Sequence, residues 1–339
     1  MHSKKIQDSK QRLGPDLAIL AHHYQSDTIV QHADLVGDSL QLAAAIPKLK
    51  AKYIVFCGVD FMAETAAVLA APHQKIFLPR PDATCVMADM APASLVRNIL
   101  EKLGRQKKII PLAYVNSSIG VKALCGQFQG SVCTSANASK MLEWALNQGD
   151  QVLFLPDQNL GKNTARLAGI SSEKIQVIDV RQQGSKLPVE KHKDQKLLLW
   201  PGVCAVHFRL KPENVSEIIN DNPQAMVVVH PESHPDVVKL AHDSGSTSKI
   251  ISFVQGSAPG STIYVGTEDN LVLRLQKEHP DKNIFPLGAA YCSNMAKTTP
   301  EHLAETLENL NPDNMVKVDE DLAGLARTAV ETMLKVSAS

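Results

Sequence analysis

Residues 53–70 read YIVFCGVDFMAETAAVLA: an apolar run, a glycine, then apolar positions recurring at helical spacing. Such a stretch is a buried strand, a tight turn and an amphipathic helix, the half-unit of an α/β sheet. The same reading holds for 151–168, QVLFLPDQNLGKNTARLA, and for 261–278, STIYVGTEDNLVLRLQKE. This weak self-similarity reads as three repeated units, and the length suggests two or three domains.

A second kind of segment precedes each of these, an apolar strand with a polar end followed by a loop of small residues. LAILAHHYQ (17–25) leads to GDSLQLA (37–43), IIPLAYVNSS (109–118) to CTSANASKML (133–142), and AMVVVHPES (225–233) to GSTSKII (245–251). The gaps from His22 to Ser39, Asn116 to Ser135 and Glu232 to Ser246 are 17, 19 and 14 positions, room for one helix each. The hydroxyl residues then arrive at the start of a later element, where free backbone N–H groups attract anions. Helix capping uses the same geometry, but recurrence in all three units favours anion binding.

A third kind closes each unit with a short strand and a cysteine: IFLPRPDATCVMADM (76–90), LLLWPGVCAVHF (197–208) and IFPLGAAYCSNMA (284–296). The spacings from Gly58 to Cys85 and from Gly266 to Cys292 are 27 and 26 positions, but Pro156 to Cys204 spans 48. The middle unit therefore carries an insertion, read as a surface loop at 181–195, RQQGSKLPVEKHKDQ. The expected domains are 1–92, 93–210 and 211–339, the last with C-terminal helices. Three thiolates on three loops can meet at a soft metal centre with an open coordination position. The competing readings are three small core thiols or zinc, which usually takes four protein ligands at close CxxC-like spacing, a pattern missing here.

Composition narrows the function. Thirty-five basic residues balance 35 acidic ones, so no global field favours nucleic acid. The start, MHSKKIQDSKQRLG, has no apolar core of a signal peptide, and no run of 18 apolar residues occurs, so the expected setting is the cytoplasm. There, six cysteines are thiols, metal ligands or packing rather than disulfides. Cys57, inside YIVFCGV, reads as core; Cys125 and Cys133, flanking GQFQGSV, could form a redox-sensitive pair.

Glu232 closes the apolar run AMVVVHPE, where a carboxylate at the mouth of a dry cavity could move protons near neutral pH. His22 and Tyr24 lie two apart, on one side of an extended segment. His207, three positions after Cys204, could reach a cavity from the same loop.

Taken in order, AHHYQ, VGDSLQLA, FCGVDFMAETA, CVMADM, YVNSS, CTSANASK, FLPDQNLG, WPGVCAVH, HPES, GSTS, VGTEDNLV and CSNM resemble the quinolinate synthase family over about residues 15–310. The resemblance implies three three-layer α/β/α domains with short parallel sheets, related by pseudo-threefold symmetry around a central cavity. It also implies a [4Fe-4S] cluster on Cys85, Cys204 and Cys292, with one iron open as a Lewis acid. The implied reaction joins iminoaspartate and dihydroxyacetone phosphate into quinolinate, a precursor of the NAD ring, with a functional link to an iminoaspartate-producing enzyme. By the same match, His22, Tyr24 and Glu232 would carry acid/base chemistry. Ser39, Ser135, Ser246 and Thr247 would hold phosphate or carboxylate oxygens, and Tyr114, Asn116, His207 and His230 would complete the polar wall.

The chain departs from the family beside the cysteines. Thr84-Cys85-Val86-Met87 stands where Gly-Cys-Ser-Met is frequent, Cys204-Ala205 and Cys292-Ser293 where Cys-Pro is, and Ser233 where some members have cysteine. The thiols remain; the potential and solvent access of a cluster are what these neighbours would alter. A metal-dependent sugar-phosphate lyase or isomerase, and a non-catalytic dicarboxylate-binding protein, are the alternative readings.

Overall fold

A computed structural model describes residues 2–181, 184 and 189–338. Its strands form three all-parallel sheets with helices between successive strands, as the alternation of apolar runs and helical patterns predicts. Among the described residues no helix is long and apolar enough to cross a membrane.

The first sheet contains β1 (Leu17–His22), β2 (Leu35–Gly37), β3 (Tyr53–Cys57) and β4 (Lys75–Phe77), in the order β2-β1-β3-β4. The second contains β5 (Ile109–Tyr114), β6 (Ser131–Cys133), β7 (Gln151–Leu155), β8 (Ile175–Val177) and β9 (Leu197–Leu199), in the order β6-β5-β7-β9-β8. The third contains β10 (Met226–Val229), β11 (Asp243–Ser244), β12 (Thr262–Gly266) and β13 (Asn283–Pro286), in the order β11-β10-β12-β13. Each sheet thus repeats one topology: second, first, third, fourth strand. The middle sheet adds β8 outside its fourth strand. The core strands β1, β5, β7 and β9 are buried throughout, which is why they read as continuous apolar runs.

By backbone contacts the chain forms two compact units. One comprises Met1–Cys85, Arg209–His230 and Ala241–Val318 and holds the first and third sheets; the other comprises Val86–Phe208, Pro231–Leu240 and Asp319–Ser339 and holds the second. In the second unit the C-terminal helix Glu320–Ala338 packs on helix Ile119–Gln127 and on β6, where the Ser131 hydroxyl donates to Ala329 O at 3.0 Å.

The described C-terminal part of the middle unit's insertion is not all loop. Beyond β8, residues Val189–His192 are helical, and the buried Gln151 amide donates to the carbonyls of His192 and Gln195 at 2.6 and 2.8 Å. Residues 182–183 and 185–188 of that stretch lie outside the described residues. The loop reading fails for its C-terminal part because Gln151, at the start of a buried strand, needs partners for its amide.

Candidate active site

Parallel strands present their functional loops at their C-terminal ends, and the repeats here do so position by position. The first strand of each sheet delivers a ring: His22 ends β1, Tyr114 ends β5, and His230 follows β10 directly. Two residues further on stand Tyr24, Asn116 and Glu232. Two residues beyond the second strand come Ser39, Ser135 and Ser246. The predicted site residues therefore occupy matched positions, which is why their types recur in the sequence at nearly constant gaps.

The cysteine loops are matched more closely still. Asp60 N donates to Ala83 O at 2.8 Å, Gln158 N to Gly202 O at 2.9 Å, and Asp269 N to Ala290 O at 3.2 Å. In every repeat the first residue of the helix after the third strand thus donates to the carbonyl two residues before the cysteine. Gly202 is required for this approach: a Cβ there would meet Pro156 O at 2.5 Å. Cys85, Cys204 and Cys292 are all unbridged and only half-buried. The other three cysteines are fully buried, and burial pushes the Cys57 and Cys125 thiols up to about 12 and Cys133 well above its ordinary value. Cys125 and Cys133 are not bridged, and neither offers a thiolate for redox chemistry at neutral pH.

In the second unit, Cys204, His207 and Glu232 come together, with their ligand atoms within 4.8 Å of one another. His207 Nδ1 and Glu232 Oε2 are 2.7 Å apart, and both side chains are buried. Glu232 is thus neither at a strand end nor exposed: β10 stops at Val229, and the loop after it turns the carboxylate inward. Beside it lies Asp157, which the sequence reading passed over. It is fully buried and caps helix Gln158–Leu167, with Oδ1 accepting from Asn159 N (2.7 Å) and Leu160 N (3.0 Å). Burial, and then the Glu232 carboxylate, raise its proton affinity far above the usual carboxylate range, against the pull of the Leu160, Asn159 and Cys204 N–H groups. The signal was present in FLPDQNLG, but an Asp before a helix is indistinguishable in sequence from an ordinary cap.

In the first unit, the His22 and Tyr24 rings meet edge to face, with centroids 4.7 Å apart. His22 Nδ1 accepts the Tyr24 N–H at 3.2 Å, so in a neutral ring the proton sits on Nε2. The Tyr24 hydroxyl is 2.7 Å from Thr267 Oγ1. The adjacent Glu268 is a buried N-cap that accepts from Asn270 N at 2.9 Å and from Cys292 N at 3.4 Å, and burial raises its carboxyl to about 7.

The hydroxyl positions differ in whether they cap a helix. Asp38, not Ser39, caps helix Ser39–Ala45, whereas the Ser246 hydroxyl does cap helix Thr247–Gly256 by accepting from Lys249 N at 3.4 Å. Ser248 donates to Asp38 Oδ2 at 2.6 Å and so brings these two helix starts together. Ser135 lies in the turn before helix Ala138–Leu146. Asn116 is half-buried, and its side-chain oxygen has no hydrogen-bond partner among the described residues.

The model of the family described as quinolinate synthetase A protein matches residues 4–335. This chain belongs to the quinolinate synthase family. It is 43% identical to the quinolinate synthase of Corynebacterium glutamicum over 98% of this chain and 87% of that one. Against the quinolinate synthase of Listeria monocytogenes the identity is 42%, covering 98% and 93%, and against that of Halobacterium salinarum 39%, covering 98% and 91%. Membership makes the chain an enzyme of NAD biosynthesis acting on small molecules. The likeness extends through all three sheets.

Proposed function

We propose that this enzyme condenses iminoaspartate with dihydroxyacetone phosphate to quinolinate, releasing phosphate and water, with a [4Fe-4S] cluster on Cys85, Cys204 and Cys292. The observation that carries the reading is the shared construction of the three cysteine loops. Each is tied by one backbone hydrogen bond two residues before a half-buried thiol, while the remaining cysteines are sealed. Three such thiolates are the donor set for three irons of a cubane. When bound, the cluster supplies a Lewis acid at its open iron for removal of the hydroxyl group.

The protein's own groups take the other roles. Phosphate and carboxylate oxygens fall to Ser39, Ser135, Ser246 and Thr247, and the polar wall to Tyr114, Asn116, His207 and His230. His22, Tyr24 and Glu232 move protons during carbon–carbon bond formation, condensation of nitrogen with the carbonyl and dehydration to the ring. His207 holds Glu232 by its 2.7 Å contact, and Thr267 orients the Tyr24 hydroxyl. The reading includes a cytoplasmic setting and a partner enzyme that furnishes iminoaspartate.

A divalent metal on Cys204, His207 and Glu232 is a second reading favoured by their spacing, and it fits a sugar-phosphate lyase. Anaerobic purification separates the two: about four irons and four sulfides per chain, with quinolinate formed from the two substrates, are expected. One non-iron metal per chain and no quinolinate would overturn the reading.

A further inference from the structure

The helix after the third strand begins at equivalent points in the three repeats, with N-caps Val59, Asp157 and Glu268. Two and six positions after the cap stand Asn159 and Asn163 in the second repeat and Asn270 and Arg274 in the third. Residues four apart share a helix face, so each pair can grip one passing segment. Asparagine favours caps and turns over helix interiors, and all four side chains are turned onto backbone rather than water.

The two grips are the same. The Asn159 amide donates to Glu232 O at 3.3 Å, and Asn163 donates to the flanking carbonyls of Pro231 (2.8 Å) and Ser233 (3.0 Å). The Asn270 amide donates to Tyr24 O at 3.3 Å, and Arg274 donates to the flanking carbonyls of His23 (2.6 and 3.1 Å) and Gln25 (2.9 Å). In both cases the first donor takes the middle carbonyl and the second takes its two neighbours. The middle residue is in both cases an acid/base candidate two positions past a histidine at the strand end. In the first repeat the equivalent positions are Phe61 and Thr65, and the Thr65 hydroxyl bonds Phe61 O within its own helix.

We propose that Asn159 with Asn163, and Asn270 with Arg274, are positioning residues that fix the backbone under Glu232 and Tyr24 and thereby aim those side chains for proton transfer. The inference rests on the acid/base reading of Glu232 and Tyr24. Asn159 and Asn163 lie 3% and 1% exposed, and Arg274 8%, so these hydrogen bonds are made in a buried setting, where removing a donor is costly. An error of about 1 Å in a catalytic group costs on the order of a hundredfold in rate, which is the scale at which such a grip acts.

The test uses the cluster-loaded enzyme under anaerobic conditions. Asn163→Ala, Asn163→Leu, which keeps the volume, and Arg274→Lys, which keeps the charge but loses the planar fork, are each expected to lower kcat at least about tenfold with KM changed less than about threefold. Iron and sulfide content stays at the wild-type level. Amide hydrogen exchange speeds up about tenfold or more at residues 230–234 in the Asn163 variants, and at 22–26 in the Arg274 variant, with the rest of the protein unchanged. Glu232→Gln and Asn163→Ala combined are no slower than Glu232→Gln alone. Wild-type turnover in Glu232→Gln would sink the acid/base reading itself. An impaired Glu232→Gln beside Asn163 and Arg274 variants within about twofold of wild-type kcat would sink the positioning role alone, as would a rate loss that simply follows lost iron.

Discussion

His207 Nδ1 lies 2.7 Å from Glu232 Oε2, with 1% and 3% of the two side chains exposed. A buried imidazole–carboxylate contact stabilises little as a pair, but it is costly to break from one side, because the survivor is stranded without water. Glu232→Gln keeps the shape and removes the base, so kcat should fall about 10²- to 10⁴-fold with cluster content intact. His207→Ala strands the carboxylate and should cost about 3–5 kcal/mol of unfolding free energy. Anaerobic urea melts showing His207→Ala as stable as the parent would contradict the burial argument.

The 2.7 Å contact between the Tyr24 hydroxyl and Thr267 Oγ1 allows the proposed proton carrier to be tested apart from the group beside it. Tyr24→Phe should lower kcat on the order of a hundredfold or more. Thr267→Val leaves the phenol in place and removes one neutral hydrogen bond, worth about 1 kcal/mol, so a loss of about fivefold is expected. Steady-state rates in which the two variants fall equally would assign the proton transfer elsewhere.

Exposure divides the six cysteines into two sets of three, half-buried and buried. Brief alkylation of the cluster-free protein near pH 8, read by mass spectrometry, should modify Cys85, Cys204 and Cys292 and spare Cys57, Cys125 and Cys133. The spared thiols are sealed and pushed up to about 12 in Cys57 and Cys125. Reconstitution with iron and sulfide should protect the first set. Rapid labelling of Cys57, or reactivity of Cys204 unaffected by reconstitution, would be incompatible with the assignment.

His23 supplies a pH dependence with a definite sign. Burial, and then the Arg274 guanidinium, lower its pKa from 6.5 to about 4 against the opposing Asp38 and Gln41. Between those values the unfolded chain binds the extra proton, so stability falls as pH drops from 6.5 to 4 and is fully present above 6.5. The difference is about 3 kcal/mol. His23→Gln should flatten that part of the curve of unfolding free energy against pH. A variant with the parent's slope would show that other groups carry the acid sensitivity.

The repeats were legible because strand, turn and helix leave periodic traces, and because Tyr24, Asn116 and Glu232, or the serines two past each second strand, must stand at fixed distances from a strand end. Asp157 and Glu268 were not legible. A carboxylate before a helix looks like a cap whether or not it is buried, and only the fold places Glu232 beside Asp157 and Cys292 N beside Glu268. The grips of Asn163 and Arg274 were hidden for the same reason: their partners are carbonyls 68 and 251 residues away, and a carbonyl has no letter in the sequence. The helix at Val189–His192 is not legible because the Gly, Pro and Lys around it read as loop, and the demand of Gln151 for partners shows only in the fold.

The C-terminal helix should matter to the second unit out of proportion to its distance along the chain from the site residues there. Gly126 lies where helix Ile119–Gln127 meets helix Glu320–Ala338, and a Cβ at that position would stand 2.0 Å from Leu325 O. No rotamer change can relieve a clash between a Cβ and a backbone oxygen, so one helix must shift. The shift would also strain the Ser131–Ala329 hydrogen bond on β6 and the contact of Asn137 with Ser337 at 2.7 Å. Overpacking of this kind costs about 1–3 kcal/mol or more, although alanine is the better helix former by about 1 kcal/mol. Gly126→Ala should therefore lower the melting temperature and quicken amide exchange in residues 320–338, whereas Gly324→Ala, with open space around its Cβ, should be neutral or stabilising. Equal melting temperatures for the two variants would mean that the helices do not meet at Gly126.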